Sequence, residues 1–140
     1  MKKIMFVCHG NICRSPAAEY IMKRLANDYI VESRATSYEE IGNDIYPPMK
    51  RVLSLYHVPF VRHYAKRIDY KDYSEADYIF YMDMENKYSL IRMFGESNKI
   101  LPIYNYSKDI DEIEDPWYTG RFDLVYRQIE QCVKDIIKNI

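Results

Sequence analysis

Apolar residues fall along the chain in two rhythms: short unbroken runs, and longer stretches in which they recur every three or four positions. The runs Ile4 to Val7, Tyr29 to Val31, Tyr78 to Met82 and Ile100 to Tyr104 are rich in β-branched or aromatic residues, and each predicts a short buried strand. The clearest helical pattern is the last, where Phe122, Val125, Tyr126, Ile129, Cys132, Val133, Ile136, Ile137 and Ile140 make one apolar face. Weaker helical stretches occupy residues 16–28, 47–57 and 86–94. Strands alternating with helices predict an α/β fold of three layers, a central four-stranded parallel sheet with helices on both faces. Ligands of such sheets gather at the carboxyl ends of the strands.

Composition sets the boundaries of that picture. A chain of 140 residues fits one domain, 1–140, with a single sizeable core, and it contains no repeat, low-complexity tract or Gly/Ser linker. A net charge of -1 and a pI near 6.3 give no electrostatic case for nucleic acid. No apolar run approaches the roughly 20 residues that cross a bilayer. The start MKKIMFV is cut off by His9, Gly10 and Asn11, short of a signal peptide's apolar region, so a cytoplasmic protein is expected. Three cysteines, at 8, 13 and 132, do not make a secreted disulfide framework and are expected as thiols. Fifteen tyrosines are explained most simply by aromatic packing.

The chemistry lies in VCHGNICRSP, residues 7–16, which leaves the first strand and enters the first helix. Pro16 suits a helix's first turn because its missing N–H would have no intrahelical partner, and Ser15 is a favoured N-cap type. The helix is therefore expected to begin at Ser15 or Pro16, leaving residues 9–14 as a loop whose amides converge on one point. The helix's positive end and the flexibility of Gly10 assist. Such a loop is built for an anion, and Arg14 adds a planar guanidinium able to hold two phosphate oxygens. The same groups would hold Cys8, at the loop's entrance, as a thiolate. A thiolate aimed into a phosphate cradle is a nucleophile for phosphorus.

This Cys8-x5-Arg14-Ser15 loop, with VESRATSYEEIGN, HYAKRI, YIFYMD and EDPWY following in order, resembles the low-molecular-weight protein tyrosine phosphatases over nearly the whole chain. The resemblance implies hydrolysis of phosphotyrosine, in a protein or a simple aryl phosphate, with no cofactor and no metal, by a monomer that binds neither nucleic acid nor membrane. It makes Cys8 the nucleophile of a phosphocysteine intermediate and Arg14 the ligand of the phosphate's equatorial oxygens. Ser15 would hydrogen-bond the sulfur, in competition with N-capping. Asn11 matches a loop-bracing asparagine held by Ser33 and His63, and His9, Gly10, Ile12 and Cys13 complete the cradle.

An aryl phosphate also needs a general acid for the departing phenolate and a base for the later water. DIDEIEDP offers Asp109, Asp111, Glu112, Glu114 and Asp115, and chemistry alone does not choose among them. The resemblance chooses Asp115, with Trp117 and Tyr118 as pocket walls that stack on a phenyl ring. Two positions depart from the pattern. Glu39 stands where the family usually has an aromatic, with Tyr38 one place earlier, so either could border the pocket. His9 could contact substrate or point to solvent. Cys13 could resolve an oxidised Cys8 as a disulfide, or simply pack under the loop.

Rival readings are discriminated by particular residues. Arsenate reductases of this fold need mid-chain cysteines that YIFYMDMENKYSLI lacks, and Cys132 sits on the last helix's apolar face. Protein-arginine phosphatases resemble this loop with threonine where Ile12 stands, and an apolar Ile12 favours phosphotyrosine. A zinc site from Cys8, His9, Cys13, His57 and His63 has irregular spacing, with Arg14 repelling a cation. A non-catalytic phosphotyrosine-binding module would gain nothing from keeping both Cys8 and Asp115.

Overall fold

The computed structural model describes residues 1–140. β1 (Lys2–Cys8) is the strand around which the rest is arranged. Its side chains alternate between two layers: Ile4, Phe6 and Cys8 enter the larger core, Met5 and Val7 the smaller one on the opposite face. A strand buried on both sides reads as an unbroken apolar run, which is how residues 4–7 appear in the sequence. Fully burying a side chain such as Phe6 or Ile4 contributes roughly 1.5–3 kcal/mol.

α1 (Arg14–Leu25) leads to β2 (Tyr29–Ala35), α2 (Pro47–Leu55), α3 (Tyr70–Glu75) and β3 (Tyr78–Tyr81), then to α4 (Met84–Phe94), β4 (Ile100–Pro102), α5 (Pro116–Thr119) and α6 (Phe122–Asn139). The strands are all parallel in the order β2-β1-β3-β4. The larger core joins β1 to α1, α2 and α6 through Ala17, Ile21, Met49, Leu53, Tyr126 and Ile129, and the smaller joins Met5 and Val7 to Leu90 of α4. The predicted three layers are therefore present. β1 connects outward to β2, while the chain returns to β3 on its other side. The loops after β1 and β3 thus part company at the sheet's carboxyl edge, the switch point where such folds bind ligands.

Several boundaries differ from the sequence reading. β2 continues from Val31 to Ala35 because Val31, Ser33 and Ala35 alternate inward while Glu32 and Arg34 face out, so no apolar run marks the strand. Arg34 is tied there by Asp72, at 3.0 Å, and by Glu32. α1 stops at Leu25 rather than residue 28, where Ala26 turns extended. β4 stops at Pro102, where the chain enters a turn closed by the Asn105 N–H donating to the Pro102 carbonyl at 3.0 Å. α3 is too short to show an apolar face and is nucleated by a reciprocal capping box between Asp69 and Asp72.

Candidate active site

At the carboxyl edge, Cys8 is both the last residue of β1, paired with Ala35, and the first of the loop. Its sulfur lies 3.3 Å from the Asn11 N–H, 3.4 Å from the Ser15 N–H and 3.0 Å from the Ser15 hydroxyl. The helix begins one residue before the predicted start, with Cys13 at the N-cap and no side-chain cap. Ser15 is therefore not the cap. Its hydroxyl serves the sulfur instead, which resolves the competition between those two roles. Nor is Gly10 the residue that turns the loop: the left-handed backbone belongs to Asn11, φ 59°. Asparagine tolerates that region better than most side chains. Gly10 supplies space, because a Cβ there would come within 3.3 Å of the Glu40 side chain.

Asn11 is fully buried, and every polar atom of its side chain is engaged. The Lys66 N–H donates to its Oδ1 at 3.1 Å, which fixes the amide's orientation, and its Nδ2 donates to Ser15 Oγ at 2.8 Å and to Ser33 Oγ at 3.0 Å. Ser33 in turn donates to Glu19 Oε1 at 2.6 Å. His63 Nε2 lies 2.7 Å from the Asn11 carbonyl, and burial lowers the imidazole below its ordinary value of 6.5. A neutral ring with its proton on Nε2 donates to that carbonyl. Asn11, Ser33 and His63 are thus brought together as the sequence reading expects. Glu19 and Lys66 were missed: Glu19 lies in no motif, and Lys66, although within HYAKRI, contributes a backbone N–H that its residue type does not announce. The one available signal was Ser33 itself, a polar residue in the inward row of β2.

Arg14 is almost wholly buried, and its Nη1 donates to Asp83 at 2.7 Å and to the Ile113 carbonyl at 2.8 Å. Burial works against its charge, but Cys8, Asp83 and Asp115 outweigh that and leave the guanidinium above its ordinary value. Asp83 also caps α4 through the Asn86 N–H, at 2.9 Å, so one carboxylate fixes both a helix and the arginine. Sequence reasoning passed over Asp83, although it closes YIFYMD at the edge of the site.

The acidic run sorts itself by geometry. Arg121 holds Glu114 through two bonds of 2.7 and 2.8 Å, and Glu112 accepts from the Met84 N–H at 2.6 Å. Asp115 alone of the run lines the pocket, with Oδ2 at 3.6 Å from Arg14 Nη2 and Oδ1 accepting from the Trp117 N–H at 3.0 Å as the N-cap of α5.

Cys8, His9, Gly10, Ile12, Cys13, Arg14, Glu39, Glu40, Asp115, Trp117 and Tyr118 line the pocket. Asn11 and Ser15, expected among the substrate-binding groups, lie buried beneath it. At the rim Glu39, not Tyr38, takes the position left open by the sequence. His9 Nε2 lies 3.0 Å from its carboxylate, so His9 neither stands free nor reaches inward alone. Tyr38 is 70% exposed and stacks on Arg67, 4.3 Å away. Cys13 is packed with Ile12 and Ala65, and burial, then the Cys8 and Asp115 charges, push its thiol well up. All three cysteines are free, and Cys132 is buried in the larger core.

A parallel sheet whose first loop wraps a cysteine sulfur, with a buried arginine and a facing carboxylate, defines an α/β protein with a pocket at the carboxyl edge of its sheet. Residues 3–140 match the family model of the low molecular weight phosphotyrosine protein phosphatases. The chain belongs to that family. It is 34% identical to the human low molecular weight phosphotyrosine protein phosphatase, over 98% of this chain and 94% of that protein. It is 33% identical to the Bacillus subtilis low molecular weight protein-tyrosine-phosphatase YfkJ, over 100% and 96%. The YfkJ crystal structure superposes with a TM-score of 0.95, covering 100% of this chain and 94% of that one at 32% identity. A Streptococcus pyogenes enzyme of the same description gives 0.92, covering 100% and 93% at 34% identity.

Proposed function

We propose that this protein hydrolyses phosphotyrosine through a phosphocysteine on Cys8. The observation that carries this reading is the convergence on one sulfur of two backbone N–H groups and a hydroxyl, with Arg14 and Asp115 in the same pocket. The Cys8 thiolate attacks phosphorus and forms an S–P bond while the P–O bond to the phenol breaks, and Asp115 gives its proton to the departing oxygen. Water then attacks phosphorus and passes a proton back to Asp115. The P–S bond breaks, and the Ser15 hydroxyl receives the thiolate. Arg14, fixed by Asp83 and Ile113, binds the equatorial oxygens and gains most in the transition state. The aromatic wall of Trp117 and Tyr118 sets a depth suited to a phenyl ring, and Ile12 offers apolar surface rather than a partner for a charged guanidinium.

The protein works in this reading as a cytoplasmic monomer acting on phosphotyrosine proteins. Three free thiols and the near-neutral charge support that setting, and no helix is long and apolar enough to cross a membrane. The test is turnover, with chelator present, of matched phosphotyrosine and phosphoarginine peptides. A higher kcat/KM for phosphotyrosine is expected. The reverse ratio would place the chain with arginine phosphatases.

A further inference from the structure

We propose that Tyr46 is the positioning residue of the general acid, a post that ties Asp115 to the phosphate loop. The inference rests on the reading of Asp115 given above.

α5 is a single turn of four residues, Pro116–Thr119, and a helix that short does not hold its own place. Its cap bond ties the Asp115 carboxyl to the Trp117 backbone, so the acid goes where Trp117 goes. Trp117 is half exposed, and Tyr118 beyond it is 84% exposed. What Trp117 rests on is Tyr46, with ring centroids 4.6 Å apart and an angle of 46°. Tyr46 also meets Phe122, where α6 begins, at 5.9 Å.

Tyr46 is itself held rigidly from the other side. Its N–H donates to the Ile12 carbonyl at 2.8 Å, inside the phosphate loop, and its own carbonyl accepts from Met49 and Lys50 at the start of α2. Pro47 follows, and the ψ of 132° is the extended value a residue before proline is pressed to adopt. The ring also packs against the small cluster of Ile12, Cys13 and Ala65. One residue therefore spans the loop that carries Cys8 and the turn that carries Asp115, with backbone and ring on the first and ring on the second. The ring makes these contacts, so phenylalanine should do as well and alanine should not.

The experiment is kcat/KM across aryl phosphates whose phenols range from weakly to strongly acidic, for wild type, Tyr46→Phe, Tyr46→Ala and Asp115→Asn. Tyr46→Ala should lose on the order of tenfold with the poorest leaving groups, the scale of one lost aromatic contact, and little with the most acidic phenol. Inhibition by inorganic phosphate should be unchanged. The fluorescence of Trp117, the only tryptophan, should shift to the red. Tyr46→Phe should match wild type. If Tyr46→Ala does not fold, Tyr46→Leu replaces it under the same readouts. Losses equal across all leaving groups, or no loss, would overturn the role of Tyr46. If Asp115→Asn itself lacks leaving-group dependence, the acid has been misassigned, and that failure is seen independently of any Tyr46 variant.

Discussion

Replacing Asn11 by aspartate barely changes volume, yet it should reverse the hydrogen bonds under the nucleophile. In the wild type the Asn11 amide donates to both Ser15 and Ser33, which leaves the Ser15 hydrogen free to point at Cys8. A carboxylate at position 11 accepts instead. The Ser15 hydroxyl then turns toward it and away from the sulfur, and the new charge shares the single Ser33 hydrogen with Glu19. A hydrogen bond to a charged partner is worth about 1.5–3 kcal/mol, which corresponds to roughly 10- to 150-fold in rate. The added negative charge acts in the same direction. Asn11→Gly is the control, since glycine accepts the φ of 59° and removes bonds without reversing any. Kinetics on a phosphotyrosine peptide, phosphate inhibition and thermal midpoint should be measured together. Asn11→Asp should lose activity far beyond its loss of stability, and more than Asn11→Gly does. Wild-type turnover by Asn11→Asp, or a greater loss in the glycine variant, would refute this account of the network.

Two further predictions concern titration and oxidation. His63 has its folded value lowered by burial, so the unfolded chain binds its proton more readily; stability from the neutral ring is present above about pH 6.5 and is lost as pH falls through the folded value. Thermal midpoints measured across that window should fall with acid in wild type and fall less in His63→Gln; parallel curves would contradict it. Peroxide should oxidise Cys8 to the sulfenic acid, which the Cys13 thiol then attacks, releasing water and forming a disulfide that dithiothreitol reduces. Wild type should recover while Cys13→Ser does not, and equal recovery after the same dose would leave Cys13 as packing.

What was legible in the sequence follows from how each feature is encoded. Local features were plain: β1 is an apolar run, α6 an apolar stripe, and the phosphate loop a contiguous turn ahead of Pro16. β2 hid its second half because Glu32 and Arg34 break the run without breaking the strand. Within the site, Cys8 and Arg14 share one loop and could be paired by spacing. Asp83 reaches Arg14 from 69 positions away and the Ile113 carbonyl from 99, and such pairings depend on the strand order. The choice among five carboxylates shows the same limit, since Glu114 is set aside by its bonds to Arg121 and by its place outside the pocket that Asp115 lines. Tyr46 carries no chemical signature at all. Its role depends on Pro47 fixing its backbone and on Trp117 arriving from 71 residues later, neither of which a window of sequence displays.

The covalent step is the claim on which the rest depends. Rapid acid quench of the enzyme during turnover of a phosphorus-labelled aryl phosphate, followed by peptide mapping, should find label on the peptide containing Cys8, and none in Cys8→Ser. Phosphate released at the wild-type rate by Cys8→Ser, or label carried on another residue, would contradict it.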